Sequence, residues 1–221
     1  MAFCLRDGLS WCECAGRAVF LDLERDRYFR LPDDADAAFR RWAASGGADG
    51  DPNLSDRLER AGLLVRGEGA GPPTPAAVRP PVRDLAGESL GKLRLSDVAR
   101  AVAAQRRAQV QVRHGRLADL VRAAARDRAP SAPEASNADV AARRVAAAFE
   151  SAALILRKAD QCVPRALAAR ALGRRLGIRV TVVFGVRLEP FAAHCWAQWN
   201  DAVIVGDLEE VRLFTPILVV P

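Results

Sequence analysis

The first third of the chain alternates short apolar and polar stretches. Leu9-Ser10-Trp11-Cys12-Glu13-Cys14, Arg17–Leu23 and Arg27–Leu31 read as three short strands, separated by the turn Ala15-Gly16 and the polar break Glu24-Arg25-Asp26. Pro32 ends the third. The period then lengthens to that of a helix, with Asp33 or Asp34 as cap and Ala37, Ala38, Phe39 and Trp42 as apolar face, up to Gly46-Gly47. A second helix, capped by Asn53 or Ser55, carries Leu54, Leu58, Ala61 and Leu64-Val65 at helical spacing and stops at Gly67. Three strands and two helices make a small N-terminal domain over residues 1–67.

The run from Gly67 to Asp84, with five prolines and three glycines, fits neither period. Such a stretch predicts a semi-extended linker over 68–84, without helix or paired strand, and hence a domain boundary. From Leu90 the pattern is helical again. Ser96 is a plausible cap, Val98, Val102, Ala103 and Val110 recur at helical spacing, and Leu117, Leu120, Val121 and Ala124 follow Gly115. Pro130–Pro133 interrupts this, and Asn137-Ala138-Asp139 opens a helix bearing Val140, Val145, Phe149 and Ala152. Another helix starts near Cys162 and ends at Gly177. Ile178–Val186, Ala193–Trp199, Ala202–Val205 and Leu213–Val220 then read as strands, with Asn200-Asp201 as a hairpin turn. Helices first and sheet last predict an α+β domain over 85–221.

Composition excludes some classes. Half of the 221 residues are hydrophobic and 27% are charged, which is no disordered chain. The net charge of +6 reads as an arginine-rich solvated surface. Arg106-Arg107, Arg143-Arg144 and Arg174-Arg175 lack the interleaved aromatics of a nucleic-acid track, so no nucleic-acid partner is expected. Five cysteines, an odd number with Cys4, Cys12 and Cys14 crowded at one end, suggest reduced thiols and a cytoplasmic location. Neither a signal peptide nor a membrane span is apparent. Cys12 and Cys14 share a strand face without a nearby histidine, which favours packing over a metal site.

The chemistry concentrates near the end. Cys162 opens a helix, with Pro164 tolerated in its first turn, where free N–H groups and the helix dipole favour a thiolate. His194 lies in a strand downstream, after enough chain to return to the helix start. Asp207, at the end of the next strand, can fix the imidazole; Asp201 competes for that role but falls in the turn. This is the chain order of a Cys-His-Asp nucleophilic site. Cys195, adjacent to His194 in a pleated strand, is expected to face away from that site.

D-Q-C-V-P-R-A-L-A-A-R-A-L-G-R-R-L-G-I, A-H-C-W-A-Q-W and F-T-P-I-L-V-V, taken in order, resemble the transglutaminase-like cysteine peptidases of lasso-peptide biosynthesis over about Leu90 to Pro221. The resemblance implies a transglutaminase/papain-like α+β fold, with Cys162 as nucleophile, His194 as base and Asp207 as orienting acid. The chain departs from the family where Val-Gly-Asp replaces Asn-Asp, and where His194-Cys195-Trp196 replaces His-Ala-Trp. The N-terminal unit resembles the small winged-helix precursor-recognition domain often fused ahead of such peptidases. That implies a leader peptide added as a strand beside Arg27, Tyr28, Phe29, Arg30 and Leu31, and packed on the second helix at Leu58 and Ala61. It also implies a precursor peptide as substrate and an ATP-dependent lasso cyclase as partner; acyl transfer through a thioester needs no metal, and no cofactor is expected. A second reading, a non-catalytic winged-helix DNA-binding regulator, is disfavoured because Arg57 and Arg60 are balanced by Asp56 and Glu59.

Overall fold

The computed structural model describes residues 2–46, 52–67, 74–85, 88, 93–126, 135–156 and 160–221. Gly47, most of the glycine-rich start of the expected linker, Leu90 and the Pro130–Pro133 break lie outside them. The chain divides into two compact units, Met1–Ala77 and Val78–Pro221.

In the first unit the three expected strands form as β2 (Leu9–Cys14), β3 (Arg17–Asp22) and β4 (Arg27–Arg30), after an unforeseen β1 (Ala2–Leu5). They pair antiparallel in the order β2-β3-β4, which leaves β4 at an edge. Helix α1 spans Asp33–Ala44. Pro32, not an aspartate, stands at its cap, while Asp33, Asp34 and Asp36 occupy the first turn and favour the positive end of the dipole. Asp36 is buried, and its carboxylate accepts from Ala18 N at 2.7 Å and Arg40 Nε at 3.0 Å.

Helix α2 spans Pro52–Arg60, so Asn53 and Ser55 lie inside it instead of capping it. Nor does it run on to Leu64-Val65. Gly62 turns left-handed at φ +69°, Leu63 N donates to Leu58 O at 2.9 Å, and β5 (Leu64–Gly67) leaves to pair antiparallel with β1. Trp11, Phe20, Phe39, Trp42, Leu58 and Leu64 form the unit's core, with Trp11 edge-on to Phe39 at 4.9 Å.

The second unit is a five-stranded sheet packed against helices. The strands are β6 (Arg83–Asp84), β7 (Thr181–Leu188), β8 (Phe191–Trp199), β9 (Ala202–Val205) and β10 (Thr215–Val220), in the order β10-β7-β8-β9-β6. Strand β6 corrects the linker expectation. Past Pro80 and Pro81 the N–H groups return, Val82 N donates to Asp201 O at 2.8 Å, Leu85 N donates to Val203 O at 3.0 Å, and Arg83-Asp84 pairs parallel with the edge of β9.

The helices are α3 (Leu95–His114), α4 (Leu117–Arg126), α5 (Ala135–Ala152) and α6 (Cys162–Arg175). Arg94, not Ser96, is the residue at the start of α3. Helices α3 and α5 pack on α6, and α6 packs on β8. The contacts are made by small side chains: Ala101, Ala142, Ala146, Ala148, Ala166 and Ala169 are completely buried, which lets the helix backbones approach closely. A short helix, α7 (Leu208–Val211), joins β9 to β10 and has no counterpart in the periodicity.

Candidate active site

Cys162 is the first residue of α6. The residue before it, Gln161, is held from α3: Gln109 Nε2 donates to Gln161 Oε1 at 2.8 Å. Arg165 N donates to Gln161 O at 3.0 Å, the first turn of the helix. The thiol is therefore half-buried at a fixed helix start, where backbone N–H groups and the dipole favour negative charge.

His194 lies in β8 opposite Gly185 of β7. Its ring stacks 6.4 Å from the Trp196 ring and is tilted against Phe214 at 5.4 Å. Gly185 makes this possible, since a Cβ there would come within 2.6 Å of Trp196 Cζ3 and 2.9 Å of Phe214 Cβ. Trp196 Nε1 donates to Gln198 Oε1 at 2.9 Å, and Gln198 Nε2 donates to the carbonyls of Arg79 and Asn200 at 2.9 and 2.8 Å. The fully buried Gln198, not singled out from sequence, thus anchors the indole that supports the imidazole. Burial holds the His194 pKa below its ordinary value, and the Glu210 charge offsets part of this. Its Nε2 is buried without a hydrogen-bond partner among the described residues.

Cys162, His194 and Asp207 all line one cavity of about 370 Å³. Asp207 enters it from the start of α7, where it is the N-cap and its Oδ1 accepts from Glu210 N at 2.9 Å. Among the described residues no hydrogen bond joins Asp207 to His194; Glu210 is the carboxylate whose charge acts on the ring. The Gly206-Asp207 departure has a geometric cause. Gly206 takes φ +140°, and a Cβ there would meet Trp196 Cβ at 3.2 Å and Val203 Cγ1 at 3.3 Å. Asp201 remains at the turn, paired with Arg79 at 3.3 Å.

Cys195 corrects an expectation, because it lines the same cavity as His194. Pleat alternation does not exclude it: α6 packs on β8, and the cavity at the Cys162 end of α6 is lined by both His194 and Cys195. Burial first, and Cys162 second, push the Cys195 thiol far above the ordinary value, so it stays protonated. Arg165, Glu210, Asp84 and Glu150 complete the wall and were not read from sequence. Arg165 stands one helical turn from Cys162, but three further arginines in α6 leave it unmarked in the sequence.

In the first unit Arg27–Arg30 is the edge strand β4, followed by Leu31, which packs on the core. Phe29 stacks on Phe20 at 5.1 Å, the Arg27 guanidinium lies over the Phe29 ring at 5.3 Å, and Tyr28 pairs opposite Leu21. Ala61 is exposed, whereas Leu58 is only 4% exposed and belongs to the core, so its side chain is not a surface contact. Cys12 and Cys14 are buried as packing residues, and burial lifts the Cys12 thiol to about 12. Among the described residues no cluster of His, Cys, Asp and Glu could hold a metal ion, and no helix is long and apolar enough to cross a membrane.

Helices packed on a mainly antiparallel sheet, with a cysteine at a helix start and a histidine on the strand that this helix packs against, make an α+β protein. Residues 91–219 match the transglutaminase-like superfamily, and the chain belongs to it. Cysteine protease and acyltransferase activities are common in that superfamily. No curated protein and no solved structure matches the chain.

Proposed function

We propose that the protein is a cysteine peptidase that binds a ribosomal precursor peptide and hydrolyses its leader–core bond during lasso-peptide maturation. The observation that carries this reading is the cavity shared by Cys162, at the start of α6, and His194. His194 takes the Cys162 proton, and the thiolate attacks the scissile carbonyl carbon to form a C–S bond. The oxyanion is held by N–H groups at the start of α6. The C–N bond then breaks, the leaving amine takes the proton from His194, and a thioester remains. Water gives a proton to His194 and attacks the thioester, which releases the leader acid and restores the thiol. The reaction needs no cofactor. The freed core amine is the group that an ATP-dependent cyclase partner would acylate.

Asp207 is the third member in this reading. Its Oδ1 is committed to the α7 cap, which leaves Oδ2 as the acceptor for the imidazole. The leader adds as a strand to the edge of β4 and packs at the exposed Ala61, which follows α2. The site of action is the cytoplasm, where the precursor is made. The DNA-binding reading gains no support, since Arg57 pairs with Asp34 at 3.4 Å and Arg60 turns back to Asp56 O.

The test is Cys162→Ala. Cleavage of the precursor disappears, as read by mass spectrometry, while leader binding, as read by fluorescence anisotropy, stays at the wild-type level. Cleavage by the variant at the wild-type rate would sink the proposal.

A further inference from the structure

Arg165 is one turn along α6 from Cys162 and faces the same cavity. It is only 5% exposed, an unusual fate for an arginine. Its Nη1 is buried and has no hydrogen-bond partner among the described residues. The ion partner assigned to it, Glu150 Oε1, stands 3.8 Å from Nη2, beyond hydrogen-bond distance. A buried guanidinium N–H with no acceptor is costly, and the cost is recovered when an acceptor arrives. The side chain therefore offers a directed donor beside the nucleophile.

The surrounding charges decide what it takes. Asp84, Glu150, Asp207 and Glu210 also line the cavity, so an anionic ligand would be repelled. A neutral acceptor is not. The neutral acceptor a peptide brings to every residue is its backbone carbonyl oxygen.

We propose that Arg165 is the residue that seats the substrate, donating from Nη1 to a backbone carbonyl oxygen of the bound peptide next to the bond that Cys162 attacks. This deepens the peptidase reading and rests on it. Arg165 does not take part in proton transfer; it fixes the peptide where the thiolate can reach the scissile carbon.

Two reagents separate seating from thiol reactivity. An N-acyl dipeptidyl chloromethyl ketone brings peptide carbonyls, and the thiolate displaces its chloride to form a C–S bond. Methyl methanethiosulfonate brings none; the thiolate takes its methylthio group and methanesulfinate leaves. Second-order rates at Cys162 are read by peptide mass spectrometry on the full chain. Arg165→Met is expected to slow the peptidyl reagent by about 10–100-fold, with the thiosulfonate rate within about threefold of wild type. Arg165→Lys, which keeps the charge and one donor, recovers part of the loss.

An unchanged ratio in Arg165→Met overturns the proposal. If Arg165→Met does not fold by circular dichroism, Arg165→Lys carries the test: a fall of about threefold or more in the ratio supports it, and a wild-type ratio overturns it. Selective peptidyl labelling of Cys162 with an unchanged ratio sinks the Arg165 role alone. Failure of both reagents to label Cys162 removes the peptidase reading as well.

Discussion

His194 is protonated less readily than an ordinary histidine because burial disfavours the imidazolium, and Glu210 only partly compensates. In the proposed function His194 is the base; it is neutral at neutral pH, and the acid limb of kcat/KM should fall below the ordinary value of 6.5. Glu210→Gln removes the charge that raises the pKa, so the limb should move to lower pH still, with kcat within a few-fold of wild type. Asp207→Asn keeps a good helix cap but loses the carboxylate, and kcat should fall by about 100-fold or more. Precursor cleavage measured against pH decides between them; the opposite pattern would assign the orienting role to Glu210. The same shift acts on stability. With the folded pKa below the unfolded value, the unfolded chain binds more protons, so the His194 contribution is intact above the ordinary histidine value and is lost as pH falls toward the folded pKa. At this scale the meeting of Cys162 and His194 in one cavity was legible, because their order and elements are distinctive. Arg165 was not, since α6 also holds Arg170, Arg174 and Arg175, and only the fold buries Arg165 and Arg170 and exposes Arg174 and Arg175.

Between residues and fold, the elements that were misread are those where a backbone group outside the local pattern decides the outcome. Leu64-Val65 has helical spacing, but the left-handed turn at Gly62 and pairing with β1 made it a strand. Arg83-Asp84 looked like linker because its partner, β9, lies far along the sequence. The long strands β7 and β8 were legible from their dense apolar runs, though not the need for Gly185 between them. That need gives a prediction. In Gly185→Ala the added methyl must displace Trp196 or Phe214, both packed against His194. Urea denaturation should show a loss of about 1–3 kcal/mol, the range for an overpacked core. Cleavage should fall with it, because the same rings support the imidazole. A stability equal to wild type would mean that the indole can move without cost, against the anchoring assigned to Gln198.

The two units bury separate cores, one around Trp11, Phe20 and Phe39 and one around Val183, Trp196 and Phe214. Separate cores permit separate folding, and in the proposed function they divide selection from cutting. Residues 78–221 produced alone should unfold cooperatively on heating and keep a Cys162 that reacts with methyl methanethiosulfonate at the wild-type rate. Their kcat/KM on a complete precursor should nevertheless fall by about 100-fold or more, because the leader no longer raises the effective concentration of the scissile bond at Cys162. A short peptide spanning the cleavage site but lacking the leader should be cut equally by the full chain and by residues 78–221. This comparison separates tethering from damage to the site. A fall on the short peptide as well would mean that the first unit completes the catalytic site, and undiminished cleavage of the full precursor would mean that residues 1–77 do not select the substrate.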